Sequence, residues 1–347
     1  MAFFVPGATD FIVPQYYRSA RHTTHYLTCG QADAPLIFFL HGWPGISLMW
    51  RAQMDAFAAE GWRCIAPDLR GYGGSSRPED EAAYTIENVV TDMTELHDHL
   101  GGGPAIWVGH DWGSVVAGQL TAHHPWRSRG VVLTSLAYFP DANALPTLVP
   151  LVDREIYPAD QYPDGQWDYY RYYTTHFEAA VADLDADKSA SLASIFRSGT
   201  RDAVGKVSPN AVVSRNGGRF GTAHRAPPVD PDPALWPPAD FDVLAEAFHS
   251  HGFRPPCAWY LNDDANVAYA RKAPNGGRLS QPVLFINGDW DQICSITGNH
   301  QGDPMRAACA DLTVLNMPAG HWLPLERKEE HIEAIRTWLQ ENNLQDG

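Results

Sequence analysis

Gly109-His110-Asp111-Trp112-Gly113 follows a short apolar run at residues 105–108 and precedes a segment of helical character at residues 114–124. A glycine on each side of a central residue is typical of a sharp turn from strand to helix, because those flanking positions have little room for side chains. The central residue of such a turn has a strained backbone and presents its side chain. The pattern therefore predicts that Asp111 is a nucleophile, with an acidic helix N-cap as the alternative interpretation.

Apolar runs of strand length alternate with helical segments on both sides of this turn. The runs that predict strands are residues 36–40, 63–67, 105–108, 131–134, 282–286 and 312–315. The segments that predict helices are residues 48–60, 86–100, 114–124 and 328–342. Short, continuous apolar runs are typical of strands that are buried on both faces. The alternation predicts an α/β fold with a mostly parallel sheet flanked by helices.

The alternation stops between the two halves of this pattern. Residues 138–280 are rich in Pro, Trp, Tyr and Asp and contain helical pieces but few convincing strands. The simplest organisation is one core domain built from residues 1–137 and 281–347. A mainly helical cap domain at residues 138–280 is then inserted between its two parts.

Charge and composition narrow the classes of partner. The chain of 347 residues has 25 basic and 41 acidic side chains and a net charge of −16. That charge repels nucleic-acid phosphates and anionic lipid, so we expect neither a nucleic-acid nor a membrane partner. Five dispersed cysteines without a Cys-x-x-Cys pair favour a reducing compartment. No signal-peptide pattern or apolar run of ~18 residues is evident, and we expect a cytoplasmic protein.

No metal ion or organic cofactor is expected from the motifs. His97 and His99 lie two positions apart on a predicted helix and therefore point to different faces. His123 and His124 are adjacent, and the phosphate-binding pattern Gly-x-x-x-x-Gly-Lys does not occur. The chemistry must then come from the side chains alone.

A carboxylate at the nucleophile position restricts the reaction. Asp111, with an ordinary pKa of ~3.9, is ionised at neutral pH without help from a base. A carboxylate attacks amides or esters poorly, because the anhydride that forms is less stable than the starting material. It can displace a leaving group from a saturated carbon, which gives an alkyl ester on the enzyme. Cleaving that ester requires a base that activates water and an oxyanion hole.

His321 is the candidate base. It follows the last predicted strand, is preceded by Gly320, and comes last in the chain order nucleophile, acid, histidine. Asp289 and Asp291 both follow the preceding strand, where Asp residues commonly form turns. We predict that Asp291 orients His321, because Asp291 lies deeper in the loop.

Two backbone N–H groups are candidates for the oxyanion hole. One is that of Trp112, directly after the nucleophile, and the other is that of Trp43, in the loop after the strand at residues 36–40. A simple Pro44-Gly45 turn is the alternative interpretation of this loop. That alternative does not explain why the turn follows a strand end upstream of a nucleophile elbow.

Together these motifs resemble the α/β-hydrolase-fold epoxide hydrolases over residues 36–326. The resemblance implies an α/β-hydrolase fold, a cis peptide bond before Pro44, and conversion of an epoxide and water to a vicinal diol without a cofactor. The motifs that carry it are His41-Gly42-Trp43-Pro44, Asp68-Leu69-Arg70-Gly71-Tyr72-Gly73-Gly74-Ser75, Gly109-His110-Asp111-Trp112-Gly113, Asp291 and Gly320-His321-Trp322.

The same resemblance implies two cap tyrosines that protonate the epoxide oxygen. An opening epoxide leaves as a strongly basic alkoxide, and a neutral phenol with a pKa of ~10 suits its protonation. Tyr260, in a segment ending Trp-Tyr-Leu-Asn, is one candidate donor. Tyr169 is the other, with Tyr170 and Tyr172 in the same aromatic run as alternatives.

Two other functions remain as alternatives. Haloalkane dehalogenases share the Asp nucleophile, but many of them have a halide-binding Asn where this chain has Trp43. A hydrolase-fold protein that only binds a small ligand is the second alternative, although it would have no use for Asp111, Asp291 and His321 together. Aromatic residues in the cap favour a small apolar epoxide as substrate. A homodimer is compatible with the sequence, which leaves the state of assembly open.

Overall fold

The computed structural model describes residues 12–345, and its centre is a sheet of eight strands. The strands are β1 (Val13–Arg18), β2 (Thr23–Cys29), β3 (Leu36–Leu40), β4 (Arg63–Pro67), β5 (Ala105–His110), β6 (Ser128–Thr134), β7 (Leu279–Gly288) and β8 (Cys309–Met317). Their order across the sheet is β1-β2-β4-β3-β5-β6-β7-β8. Strands β3 to β8 run parallel, whereas β1 pairs antiparallel with β2, and β2 with β4.

Helices cover this sheet on both faces. Every residue of β3 and β5 is buried, which requires cover on both sides because successive side chains of a strand point to opposite faces. The helices are α1 (Arg51–Ala59), α2 (Ile86–His99), α3 (Trp112–His123), α4 (Leu145–Leu148), α5 (Asp168–Thr175), α6 (Phe177–Asp185), α7 (Lys188–Ile195), α8 (Pro238–His251), α9 (Arg254–Ala258), α10 (Asp263–Ala270), α11 (Asp303–Ala308), α12 (Leu323–Glu326) and α13 (Lys328–Glu341). The α2 helix packs against α3, and α1 packs against α13. The predicted mostly parallel sheet flanked by helices is confirmed.

The chain between β6 and β7 forms only helices and turns, α4 to α10 among them. Two indole hydrogen bonds tie this segment to the loops of the sheet. Trp259 Nε1 donates to the carbonyl of Arg70 at 3.0 Å, and Trp322 Nε1 donates to the carbonyl of Ile195 at 3.1 Å. The division into a core domain and a cap domain at residues 138–280 stays a prediction. The predicted cap corresponds to this helical segment.

The antiparallel pair β1–β2 is absent from the sequence prediction. The edge strand β1 is largely exposed and contains Pro14, so it has no apolar run that would indicate a buried strand. Within residues 12–345, no helix has the length and apolar composition that crossing a membrane requires. The cytoplasmic location and the state of assembly stay predictions.

Two glycines allow β5 and α3 to approach β3 closely. A Cβ atom on Gly113 would lie 2.0 Å from the carbonyl oxygen of Leu40, and one on Gly109 would lie 2.3 Å from the carbonyl oxygen of Gly113. Both neighbours are backbone atoms in buried elements, so they cannot move aside as a flexible side chain could. The turn therefore depends on glycine at both positions.

We expect Gly113→Ala to lower the free energy of unfolding by at least ~2 kcal/mol, because the added methyl group overpacks the backbone of β3. Urea denaturation followed by circular dichroism measures the change. Gly103→Ala is the control, since a Cβ there meets open space, and it should change the free energy of unfolding by no more than ~0.5 kcal/mol. Equal effects of the two substitutions would contradict this account of the turn.

Candidate active site

The site lies where parallel strands of the sheet end. Trp43 follows β3, Asp111 follows β5, Asp291 follows β7 and His321 follows β8. Leu40 at the end of β3 lies in register with Gly109 of β5. Because parallel strands bring their carboxyl ends to one edge of the sheet, residues far apart in sequence meet there.

Asp111 has the strained backbone that the glycine pattern predicts. Its φ is 53° and its ψ is −123°, a conformation that few residues other than glycine adopt. Neighbouring elements hold the turn. The N–H of Asp111 donates to the carbonyl of Thr134 at 3.2 Å, and its carbonyl accepts from the N–H of Ser114 at 2.8 Å. The carboxyl group is thereby presented at the edge of the sheet, with little freedom to turn away.

The two oxygens of the Asp111 carboxylate have different surroundings. Oδ1 accepts a hydrogen bond of 2.8 Å from the backbone N–H of Trp43, and the N–H of Trp112 also bonds this carboxylate. Oδ2 lies 3.7 Å from Nε2 of His321. The Trp43–Pro44 peptide bond is cis, as the resemblance implies. The two predicted oxyanion donors are thus brought to the predicted nucleophile, while Oδ2 faces the histidine.

The structure brings Asp291, and not Asp289, to His321. Oδ2 of Asp291 lies 2.8 Å from Nδ1 of His321. Oδ1 of the same carboxylate accepts from the backbone N–H groups of Ile293 at 2.8 Å and Cys294 at 3.1 Å, which fixes its orientation. Asp289 instead accepts from Thr297 Oγ1 at 2.8 Å, the local turn role expected for one of the two residues.

Charges around His321 favour its protonated form. Burial opposes protonation, but the charge of Asp291, its hydrogen bond and the charge of Asp111 together raise the pKa of His321 to about 9. Burial also raises the pKa of Asp111, against the opposing effects of His321 and the N–H groups of Trp112 and Trp43. An imidazolium that lies between two carboxylates loses part of this stabilisation if either carboxylate is neutralised.

Tyr169 and Tyr260 line the same small cavity as Asp111 and His321. The cavity has a volume of about 120 Å³. Burial, together with the nearby charge of Asp111, raises the pKa of both tyrosines well above the ordinary value. Both hydroxyls are therefore neutral donors at any physiological pH. Tyr260 is held edge-on against the Trp112 ring, with 5.4 Å between ring centroids.

The alternatives to Tyr169 are engaged elsewhere. The hydroxyl of Tyr170 donates to the carboxylate of Asp263. The hydroxyl of Tyr172 donates to the carbonyl of Gly217 at 3.1 Å. Of the three tyrosines, only Tyr169 lines the cavity with Asp111. The structure therefore pairs Tyr169 with Tyr260.

Asn210 and Arg219 also line this cavity, and the sequence interpretation missed both. They lie in the helical segment between β6 and β7, outside any motif or periodic pattern that would mark them. Their position is apparent only from the fold of that segment. A larger cavity of about 850 Å³ adjoins the small one and shares Asn210, Arg219 and His321 with it.

Among the described residues, Asp291, Cys294 and His321 lie close enough together to hold a metal ion. Their protonation does not suit one. Burial raises the pKa of the Cys294 thiol well above its ordinary value, and His321 has a pKa of about 9. Metal ions bind thiolate and neutral imidazole, so this group fits proton transfer better than metal binding.

Comparisons with known proteins identify relatives of this chain. Residues 35–190 match the family model described as the alpha/beta hydrolase fold. Epoxide hydrolase A of Mycobacterium tuberculosis is 31% identical over 321 residues, which cover 89% of this chain and 92% of that protein. An epoxide hydrolase of Caballeronia sordidicola is 30% identical over 324 residues, with 89% of each chain covered. The solved structure of an epoxide hydrolase from an endophytic Streptomyces has a TM-score of 0.76 at 28% identity, with 95% of each chain covered. The predicted α/β-hydrolase fold is confirmed.

Neutralising Asp111 should lower the pKa of His321. We expect Asp111→Asn to move it from about 9 to below ~8, because one of the two carboxylates that stabilise the imidazolium is lost. NMR titration of the imidazole measures this pKa, with His321→Gln to assign the signal. Asp289→Asn, which neutralises a carboxylate engaged with Thr297, should leave it near 9. An unchanged pKa in Asp111→Asn would mean that the two groups are not coupled.

Proposed function

The chain belongs to the α/β-hydrolase-fold epoxide hydrolases, and we propose that it converts an epoxide to a vicinal diol through an alkyl ester on Asp111. One observation carries the proposal: a carboxylate and two neutral tyrosine hydroxyls line one cavity of about 120 Å³. A nucleophile and proton donors in one enclosed space suit the opening of a strained ring whose oxygen leaves as an alkoxide.

In the first step, Oδ2 of Asp111 attacks a ring carbon of the epoxide. This oxygen faces Nε2 of His321 at 3.7 Å, whereas Oδ1 is bonded to the backbone N–H of Trp43. The carbon–oxygen bond of the ring breaks, and its electron pair goes to the epoxide oxygen. Tyr169 and Tyr260 bind that oxygen, and one phenol transfers its proton to it. The products are an ester on Asp111 and a bound hydroxyl group.

In the second step, water cleaves the ester. His321 takes a proton from water through Nε2, and the resulting hydroxide attacks the ester carbon. The imidazole is free to do so once its resting proton has passed to the tyrosinate left by the first step. Oδ1 is now the carbonyl oxygen, and the N–H groups of Trp43 and Trp112 stabilise the negative charge that develops on it. When the intermediate collapses, the bond between the ester carbon and Oδ2 breaks, and that oxygen leaves with the diol and takes the proton of the added hydroxyl group. The Asp111 carboxylate is regenerated, and the proton taken from water stays on His321, which restores its resting state.

Alkylation of Asp111 also prepares His321 for this role. In the resting enzyme, the pKa of about 9 keeps the imidazole protonated and unable to accept a proton. The ester carries no charge, so its formation removes one of the stabilising carboxylates and lowers the pKa of His321. Asp291 keeps its bond of 2.8 Å to Nδ1, so Nε2 is the nitrogen that accepts the proton from water.

The tyrosines favour an epoxide over a haloalkane as substrate. A departing halide is a stable anion and needs no proton, whereas an alkoxide is protonated as it leaves. Ile195, Ile293 and Trp322 line the same cavity and suit an apolar body on the substrate.

Replacing the base should trap the ester. With His321→Gln and styrene oxide, we expect an adduct of the substrate mass to accumulate on the peptide that contains Asp111, because glutamine cannot take the proton from water. Mass spectrometry of the digested protein measures it. His300→Gln is the control, since His300 is exposed and pairs with Asp303, and should accumulate no adduct.

Absence of any adduct in His321→Gln would overturn covalent catalysis. The substrate class is tested with the unmodified enzyme by comparing styrene oxide with 1-bromobutane. Diol formation from styrene oxide supports the proposal. Bromide release without diol formation would instead assign a dehalogenase.

Removing a proton donor should slow ring opening. We expect Tyr260→Phe and Tyr169→Phe each to reduce the rate of ester formation by ~10²-fold or more, because the alkoxide then leaves with less protonation. Rapid-quench measurement in the His321→Gln background isolates this step. Tyr172→Phe removes a hydroxyl that bonds Gly217 outside the cavity and should change the rate little. Equal rates in all three variants would remove the tyrosines from the mechanism.

A further inference from the structure

Arg219 places a cationic side chain at the reaction site, a feature that the proposed mechanism does not use. It lines the small cavity together with Asp111, Tyr169 and Tyr260. Its guanidinium carbon lies 5.8 Å from the centroid of the Trp43 ring. Burial raises the pKa of Tyr173, and the charge of Arg219 opposes that rise. The Tyr173 ring lies edge-on to the ring of Tyr260, with 5.3 Å between centroids.

Within residues 12–345, no carboxylate forms an ion pair with Arg219. Nη1 donates to the side-chain oxygen of Asn210 at 2.9 Å, which is a neutral partner. Because that oxygen accepts from Arg219, the Nδ2 group of Asn210 is a further donor on the lining of the cavity, and the described hydrogen bonds give it no partner. Arg219 is partly buried, and a guanidinium in that position without a carboxylate partner is available to bind an anion.

The lining of the larger cavity has more basic than acidic side chains, the opposite of the chain as a whole. The chain as a whole has 25 basic and 41 acidic side chains. This cavity is lined by three arginines, which are Arg197, Arg219 and Arg225, and by one carboxylate, that of Asp291. Asp291 is already bonded to His321, and Arg225 pairs with Asp187 at 2.7 Å. This leaves Arg197 and Arg219 without a carboxylate partner among the described ion pairs. A local positive surface on an acidic protein attracts anions to one entrance.

We propose that Arg219 binds a carboxylate of the substrate, so that the substrate is an epoxide with a carboxylate within a few bonds of the ring. This inference rests on the proposed function, since the epoxide oxygen is assigned to Tyr169 and Tyr260. A cavity of about 120 Å³ holds these tyrosines and Arg219 together, so a carboxylate at the far end of a long chain would lie outside it. The substrate class is therefore a 2,3-epoxy acid.

The chemistry of the donors matches a carboxylate. One guanidinium fork and one amide suit a planar group with a single negative charge, since Arg binds a carboxylate through two parallel N–H bonds. The reaction also needs this charge. Attack by anionic Asp111 beside a substrate carboxylate brings two like charges together, and Arg219 offsets that repulsion.

The test compares a charged epoxide with its neutral counterpart. The substrates are trans-3-phenylglycidate and trans-3-phenylglycidamide, which differ in one charged group. We expect the unmodified enzyme to prefer the carboxylate by at least ~10-fold in kcat/KM, and Arg219→Gln to remove that preference. Arg219→Lys, which retains the charge without the fork, should keep part of it.

Arg215→Gln is the matched control, because it changes the net charge by the same amount. Arg215 is exposed and donates to the carbonyl of Gln161, and it lines neither cavity. It should leave the carboxylate-to-amide ratio unchanged. If Arg215→Gln and Arg219→Gln reduce the carboxylate-to-amide ratio equally, the preference comes from net charge and the inference is overturned.

A binding measurement separates this inference from the proposed function. Cinnamate and cinnamamide are the unreactive alkene counterparts of the two substrates, and calorimetry measures their affinities without turnover. We expect cinnamate to bind the unmodified enzyme at least ~10-fold more tightly than cinnamamide, and Arg219→Gln to abolish the difference. Near-ultraviolet circular dichroism checks that the variant is folded. Equal affinities in the unmodified enzyme, or a difference that survives Arg219→Gln, would overturn the anion site even if both epoxides are hydrolysed. Failure to hydrolyse either epoxide would count instead against the proposed function.

Discussion

A single hydrogen bond of 2.8 Å, from the backbone N–H of Trp43 to Oδ1 of Asp111, joins the ends of β3 and β5. The bond forms only because the backbone comes close to neighbouring atoms at two positions, Gly42 and Gly113. A Cβ on Gly42 would lie 2.3 Å from Oδ1 of Asp111, and one on Gly113 would lie 2.0 Å from the carbonyl oxygen of Leu40. Glycine at both positions therefore lets the loop after β3 reach the carboxylate. The bond gives the two carboxylate oxygens different surroundings: Oδ1 accepts from the backbone N–H of Trp43, and Oδ2 faces Nε2 of His321.

The same carboxylate, together with that of Asp291, favours the protonated form of His321. His321 lies between Asp291, at 2.8 Å, and Asp111, at 3.7 Å, and its pKa is raised to about 9. In the proposed mechanism, the negative charge of Asp111 is lost when the ester forms, and the imidazole is then better able to accept a proton. In this account, the order of the two steps follows from electrostatics. Ester formation removes one of the two negative charges that stabilise the protonated base, while Asp291 keeps its bond to Nδ1.

The sequence allowed most of this site to be predicted, because the ends of parallel strands meet at one edge of a sheet. Asp111 and His321 each follow a recognisable strand, and the glycines around Asp111 identify the turn. The choice among Tyr169, Tyr170 and Tyr172 could not be made in the same way. Neighbouring helical residues point in directions about 100° apart, so the choice depends on the rotation of α5 (Asp168–Thr175) against the core.

The position of Arg219 and the strand pair β1–β2 could not be predicted from the sequence, for related reasons. Arg219 lies in irregular chain between two short turns, where no periodicity relates it to the strand ends. The edge strand β1 is mostly exposed, so it lacks the apolar run that indicates a buried strand. In both cases the position depends on tertiary packing, and only the folded chain reveals it.

The central claim is that Asp111 forms a covalent bond to the substrate, and the source of the oxygen in the product tests it most directly. The enzyme, in excess over styrene oxide, is allowed a single turnover in water enriched in ¹⁸O, and the diol and the Asp111 peptide are analysed by mass spectrometry. The account predicts an unlabelled diol and ¹⁸O in the Asp111 carboxylate, because water attacks the ester carbon and the diol takes its new oxygen from Asp111. A diol that carries ¹⁸O after the first turnover, with no label on Asp111, would mean that water opens the ring directly.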